Sequence, residues 1–110
     1  MVNPEEYINV KDALRRIGGS MDLYKRLLKQ FMSGDHIEPL EEALKAGDTE
    51  KASHLVHTLK GVCANLSLVK LAETSVSLER MIKEGGDYTD VFAELKQAYE
   101  ITSQQIALVQ

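Results

Sequence analysis

Apolar residues return every three or four positions along most of this chain, and glycines cut that rhythm into helix-length pieces. Residues three and four apart share one face of a helix, so each such run needs a neighbour against which to bury that face. Met21, Tyr24, Leu28 and Phe31, reinforced by Leu27, form one stripe. Leu71, Ser75, Leu78 and Ile82, flanked by Ala72 and Met81, form a second, and Phe92, Leu95, Tyr99, Thr102 and Ile106 a third. Gly18-Gly19 and Gly85-Gly86 stop two of the helices, because glycine takes the left-handed conformation of a helix C-terminus freely. No alternation of strand type runs beyond four residues.

Capping residues place the helix starts. Asn9 opens a short helix from Val10 to Ile17, after an irregular lead-in over residues 1–9. Ser20 opens the next with Asp22 in its first turn, and Asp48 opens another with Glu50. Ser67 marks a tight turn before a helix from about Leu68 to Glu84, and Asp87 caps the last one. Between residues 20 and 46 the rhythm falters at Ser33-Gly34-Asp35 and resumes as Ile37, Leu40 and Leu44. Pro39 lacks an N–H and crowds the preceding turn, so the segment is one helix kinked near residues 34–39 or two in succession; we expect the kinked helix. The expectation is an all-α fold: an antiparallel up-down four-helix bundle with a short extra N-terminal helix, one domain over residues 1–110.

The composition narrows function by exclusion. With two Phe, four Tyr and no Trp, the core is built from aliphatic residues, which suits helices better than strands. A net charge of −4 argues against nucleic acid as a partner. No apolar run approaches the roughly 20 residues of a membrane span, and Met1-Val2-Asn3-Pro4-Glu5-Glu6 lacks the basic start of a signal peptide. The single cysteine, Cys63, allows no internal disulfide, so a cytoplasmic location and a monomer are expected.

One helix carries a residue that its apolar stripe does not explain. With His57 at 0° and about 100° per residue, Leu55, Leu59, Val62 and Leu66 fall between roughly 140° and 200°, with Ala52 and Cys63 near their edge. His57 then points almost directly away from the core, with Lys60 at i+3, Gly61 at i+4 and Ala64 at i+7 on its own side. A lone surface histidine needs no function. Gly61, however, lies mid-helix, where glycine costs about 1 kcal/mol relative to alanine, and is best explained by the close approach of another molecule. Lys60 would offset negative charge arriving on the imidazole.

Competing chemistry finds less support. His54, one turn before His57, could with Glu50 imitate a metal-binding face, but no convincing third ligand accompanies them. His36 reads as an ordinary surface residue and Cys63 as a small core residue. Glu41, Glu42, Glu79 and Glu84 read as solvated helix faces. Neither a Gly-x-x-x-x-Gly-Lys-Ser/Thr loop nor a Gly-x-Gly-x-x-Gly run is present, so an ATP site is not expected.

The run His57-Thr58-Leu59-Lys60-Gly61-Val62-Cys63-Ala64-Asn65-Leu66 closely resembles the signature of histidine-containing phosphotransfer (HPt) domains: His-x-x-Lys-Gly, small residues, then Leu or Ile. The resemblance extends over about residues 10–85, through Gly18-Gly19, Asp22-Leu23-Tyr24, Ala43-Leu44-Lys45-Ala46-Gly47-Asp48, Leu71-Ala72 and Leu78-Glu79. It implies a four-helix bundle in which His57 is phosphorylated from the aspartyl phosphate of a receiver domain and passes the group to another receiver. Lys60 would stabilise its charge, and Ser53, His54, Gly61 and Ala64 would meet the partner. The partners implied are response-regulator receivers and a hybrid sensor kinase, with Mg²⁺ supplied by the receiver and no cofactor of the chain's own. Ser67 departs from the glycine usual ten residues after the histidine. The rival readings are a helical adaptor that is never phosphorylated and a metal-binding bundle using His54 and His57.

Overall fold

The computed structural model describes residues 3–110, all of whose regular structure is helical: α1 (Pro4–Tyr7), α2 (Val10–Arg16), α3 (Met21–Ser33), α4 (Glu38–Lys45), α5 (Thr49–Asn65), α6 (Val69–Glu84) and α7 (Thr89–Val109). α5 packs against α4 on one side and α6 on the other; α6 in turn packs on α7, and α3 reaches α7 and α2. Tyr24, Leu28, Leu40, Val56, Leu71, Leu78, Leu95 and Ile106 are fully buried in the core between them. The caps act as their chemistry dictates. Asn9, Ser20 and Asp48 each accept a backbone N–H three residues on, from Asp12, Leu23 and Lys51. Asp87, expected to cap α7, lies one residue before the actual N-cap, Tyr88, which has no side-chain cap bond; Asp87 Oδ1 instead accepts the N–H and hydroxyl of Thr89.

Two boundaries differ from expectation. The lead-in contains a one-turn helix, α1, because Asn3 accepts the Glu5 N–H and Pro4 stands where a helix has no use for an N–H. α1 lies across α6 and α7; residues 1 and 2 of the expected lead-in fall outside the described residues.

The expected kinked helix is two helices. Gly34 is extended (φ −89°, ψ 156°) and ends α3. Pro39 sits in the first turn of α4, where its missing N–H costs nothing, so it starts a helix instead of bending one. Asp35 accepts the Glu38 N–H, and His36 folds back over α3. The His36 ring stacks on Phe31 with centroids 4.3 Å apart and donates from Nε2 to the Phe31 carbonyl (2.7 Å). His36 is thus half-buried and closes the break; it is not the ordinary surface residue expected.

Ser67 sets the turn that orients α5 against α6. The Leu68 N–H bonds to the Cys63 carbonyl and the Ser67 N–H to the Ala64 carbonyl, a Schellman closure that puts Ser67 in the left-handed region (φ 54°). Glycine suits that position, and serine there carries strain of about 1–2 kcal/mol. The side chain offsets it: Ser67 Oγ donates to Asp12 Oδ2 (2.6 Å), and the Ser67 carbonyl accepts the Asn9 N–H (3.0 Å). Asp12 also holds Arg16 Nε at 2.9 Å, and the Ser67 and Arg16 bonds keep its carboxyl below the usual aspartate range. The turn is thereby tied to α2. Ser67→Gly should leave urea-unfolding stability within about 1 kcal/mol of the parent, because lost strain and lost bond cancel. Ser67→Ala keeps the strain without the bond and should cost about 1–2 kcal/mol.

Candidate functional site

α5 carries the site, and its rotation decides what its outer face meets. Its buried residues are Ala52, Val56, Leu59 and Cys63, whereas Leu55 and Val62 are only half-buried. The core stripe therefore centres near 230° on the scale with His57 at 0°, about 30–60° round from the expected stripe. His57 lies about 130° from that centre, outside the core but inclined toward α6. Lys60, at about 300°, stands between His57 and the core on the α6 side.

Glu79 of α6 meets both. Its Oε2 accepts a hydrogen bond from His57 Nδ1 at 2.9 Å, and its Oε1 accepts one from Lys60 Nζ at 2.7 Å. The Glu79 side chain is 9% exposed, Lys60 30% and His57 66%, so a buried carboxylate anchors two progressively more exposed cationic or neutral donors. The Lys60 ammonium, and then the His57 ring, hold the Glu79 carboxyl below the usual glutamate range against the opposing effect of burial. An ionised carboxylate can only accept, so Nδ1 carries the proton and the neutral ring presents its lone pair at Nε2. That is a nucleophilic nitrogen with its other nitrogen fixed.

This corrects the reading of Glu79 as a solvated residue. On α6 it falls about 80° from Leu71 and 40° from Ser75, at the border of the apolar stripe. That border position was the available signal: a carboxylate there is covered by a neighbouring helix and needs a cation. Lys60, expected beside the imidazole, is joined to it through Glu79.

The other expected contact residues share the outer face of α5. His54, Gly61 and Ala64 are exposed and Ser53 half-exposed, and no side chain among them bonds to the His57 ring. A Cβ placed on Gly61 would meet no atom of the described residues within 4 Å, so nothing among them requires glycine there. Cys63 is fully buried, and burial pushes its thiol up to about 12, which removes it as a nucleophile at neutral pH. Among the described residues no group of three or more His, Cys, Asp or Glu could hold a metal ion. An open apolar groove flanks the outer face of α5 on its other side, lined by Ile17, Leu27, Phe31 and Val62 with Arg16 and Asn65 at its rim.

Among known proteins, the family model described as Hpt domain matches residues 26–105. No curated protein and no solved structure matches the chain.

The Glu79 linkage has a pH signature. Its folded pKa lies below the ordinary value near 4.5, so its contribution to stability is present above that value and lost as pH falls through the folded pKa. Glu79→Gln should therefore flatten the acid limb of the stability curve below about pH 4.5. Urea unfolding from pH 7 down to pH 3 measures it.

Proposed function

The chain belongs to the Hpt domain family, whose members are histidine phosphocarrier modules of phosphorelays, and on that premise we propose that His57 is the residue that carries the phosphoryl group. It accepts the group from the aspartyl phosphate of a receiver domain, with a hybrid sensor kinase upstream, and passes it to a second receiver. The observation that carries the reading is the bond from His57 Nδ1 to Glu79.

The transfer follows from it. The Nε2 lone pair attacks phosphorus, the phosphorus–oxygen bond to the receiver's aspartate breaks, and the aspartate leaves as a carboxylate. The Nδ1 proton stays in place against Glu79, so the phosphorylated ring is cationic and faces a fixed negative charge. In the onward step the next receiver's carboxylate attacks phosphorus and the electron pair of the P–N bond returns to Nε2. The ring ends neutral with its proton where it began. No proton crosses the site in either direction, which suits a reversible carrier.

Lys60 supplies the second part of the reading. An ammonium has three N–H donors; before phosphorylation Glu79 Oε1 takes one, and the ammonium is within reach of an arriving phosphoryl group. Positioning and charge neutralisation are what phosphoryl transfer chiefly needs; Mg²⁺ comes with the receiver. Ser53, His54, Gly61 and Ala64 form the approach surface, and the groove beyond Val62 extends it with apolar area for a partner that must bind and leave. The open space over Gly61 supports this, since no contact among the described residues calls for the absent side chain.

Incubation with a phosphorylated receiver and Mg²⁺ should label the chain on an acid-labile, alkali-stable phosphate, and His57→Gln should abolish the label; equal labelling of that variant would overturn the assignment. Gly61 separates stability from function. Gly61→Ala should raise unfolding stability by about 0.5–1 kcal/mol, while Gly61→Leu should slow transfer roughly ten- to a hundred-fold in a folded protein, as misdocking does.

A further inference from the structure

One charge beside the site acts on Glu79 only through space, without a direct ion pair. Lys83 lies four residues after Glu79 on α6, about 40° round the same face, a spacing at which a glutamate and a following lysine meet. The two line one shallow concavity with Val76, Arg80 and Glu84. Among the described residues Lys83 makes no ion pair. A lysine in the last turn of a helix is favoured by the helix dipole. That explains a cation at this end of α6, but not its seat on the face of Glu79.

Phosphorylation of His57, the reading on which this inference rests, would bring close to two negative charges to the outer side of the site. Lys60 is a compact charge on a flexible stem, now seated on Glu79 Oε1 at 2.7 Å, and the phosphoryl oxygens would draw it outward. The Glu79 side chain is nine-tenths buried, and a buried carboxylate that loses its counter-ion is costly. His57 Nδ1–H still serves Oε2, which leaves Oε1 without a partner.

We propose that Lys83 is the exchange counter-ion of Glu79: when His57 is phosphorylated, Lys60 turns from the carboxylate to the phosphoryl group and Lys83 closes onto the oxygen that Lys60 leaves. Lys83 is a positioning residue, which acts on the phosphoryl group only by releasing Lys60. Without it Lys60 stays divided between two anions, and the phosphoryl group holds its proton more tightly.

The test needs no receiver. The chain is phosphorylated with potassium phosphoramidate, and the phosphoryl group is titrated by its ³¹P chemical shift. Lys83→Ala should raise the proton affinity of that group roughly two- to five-fold, the range of an exposed ion-pair effect. Lys83→Arg should restore it, and Lys29→Ala, a cation on α3, should leave it unchanged. In a Glu79→Gln background, where Lys60 is already free, Lys83→Ala should have no effect. An unchanged titration in Lys83→Ala, or an equal shift in the Glu79→Gln background, would overturn the proposal. Failure of phosphorylated receivers to load the chain would count against the relay alone, because the phosphoramidate titration still decides the role of Lys83.

Discussion

A carboxylate held between two helices governs this structure. Glu79 is an acid at the edge of α6's apolar face, and its burial is tolerable only because α5 brings Lys60 to one oxygen and His57 to the other. That requirement joins packing to chemistry. The rotation of α5 that seats Val56 and Ala52 in the core also turns His57 toward α6. The turn at Ser67, locked to α2 through Asp12, sets how the two helices meet. A small change in either would leave the bundle standing and the imidazole unoriented.

The proposed relay asks little machinery of the chain itself. A carrier that must give up its cargo as readily as it takes it gains nothing from a deep pocket or a resident metal. What it needs is one nitrogen exposed, the other fixed, and enough positive charge nearby to hold the phosphoryl group briefly. In the proposed transfer His57 provides the first, Glu79 the second and Lys60 the third. The absence of a side chain at Gly61, which no contact among the described residues demands, would leave the rest of the geometry to the proposed partner.

Much of this was legible in the sequence, because helix periodicity and capping are local. Asn9, Ser20 and Asp48 cap the helices they were expected to cap, and the stripes of α3, α6 and α7 are close to those the spacing implies. His57, Lys60 and Gly61 stand out because a glycine inside a helix and a histidine off the stripe are both local anomalies. What was missed depends on neighbours. Pro39 means a kink or a start according to what the preceding residues do, and Gly34 with the stacked His36 made it a start. Glu79 looks like a surface acid along α6 alone; only the presence of α5 turns it into a buried anchor. Leu55 and Val62 were placed in the stripe because spacing ranks hydrophobicity without knowing which side the neighbours occupy.

The central claim is that Glu79 keeps the proton on Nδ1, so that phosphate resides on Nε2 of His57. NMR of the ¹⁵N-labelled chain, loaded by a phosphorylated receiver, measures this directly through nitrogen–phosphorus and nitrogen–proton couplings in the imidazole. The account predicts one phosphorylated ring, His57, with phosphorus on Nε2 and the proton on Nδ1. Phosphorus on Nδ1, or on any residue other than His57, would contradict it.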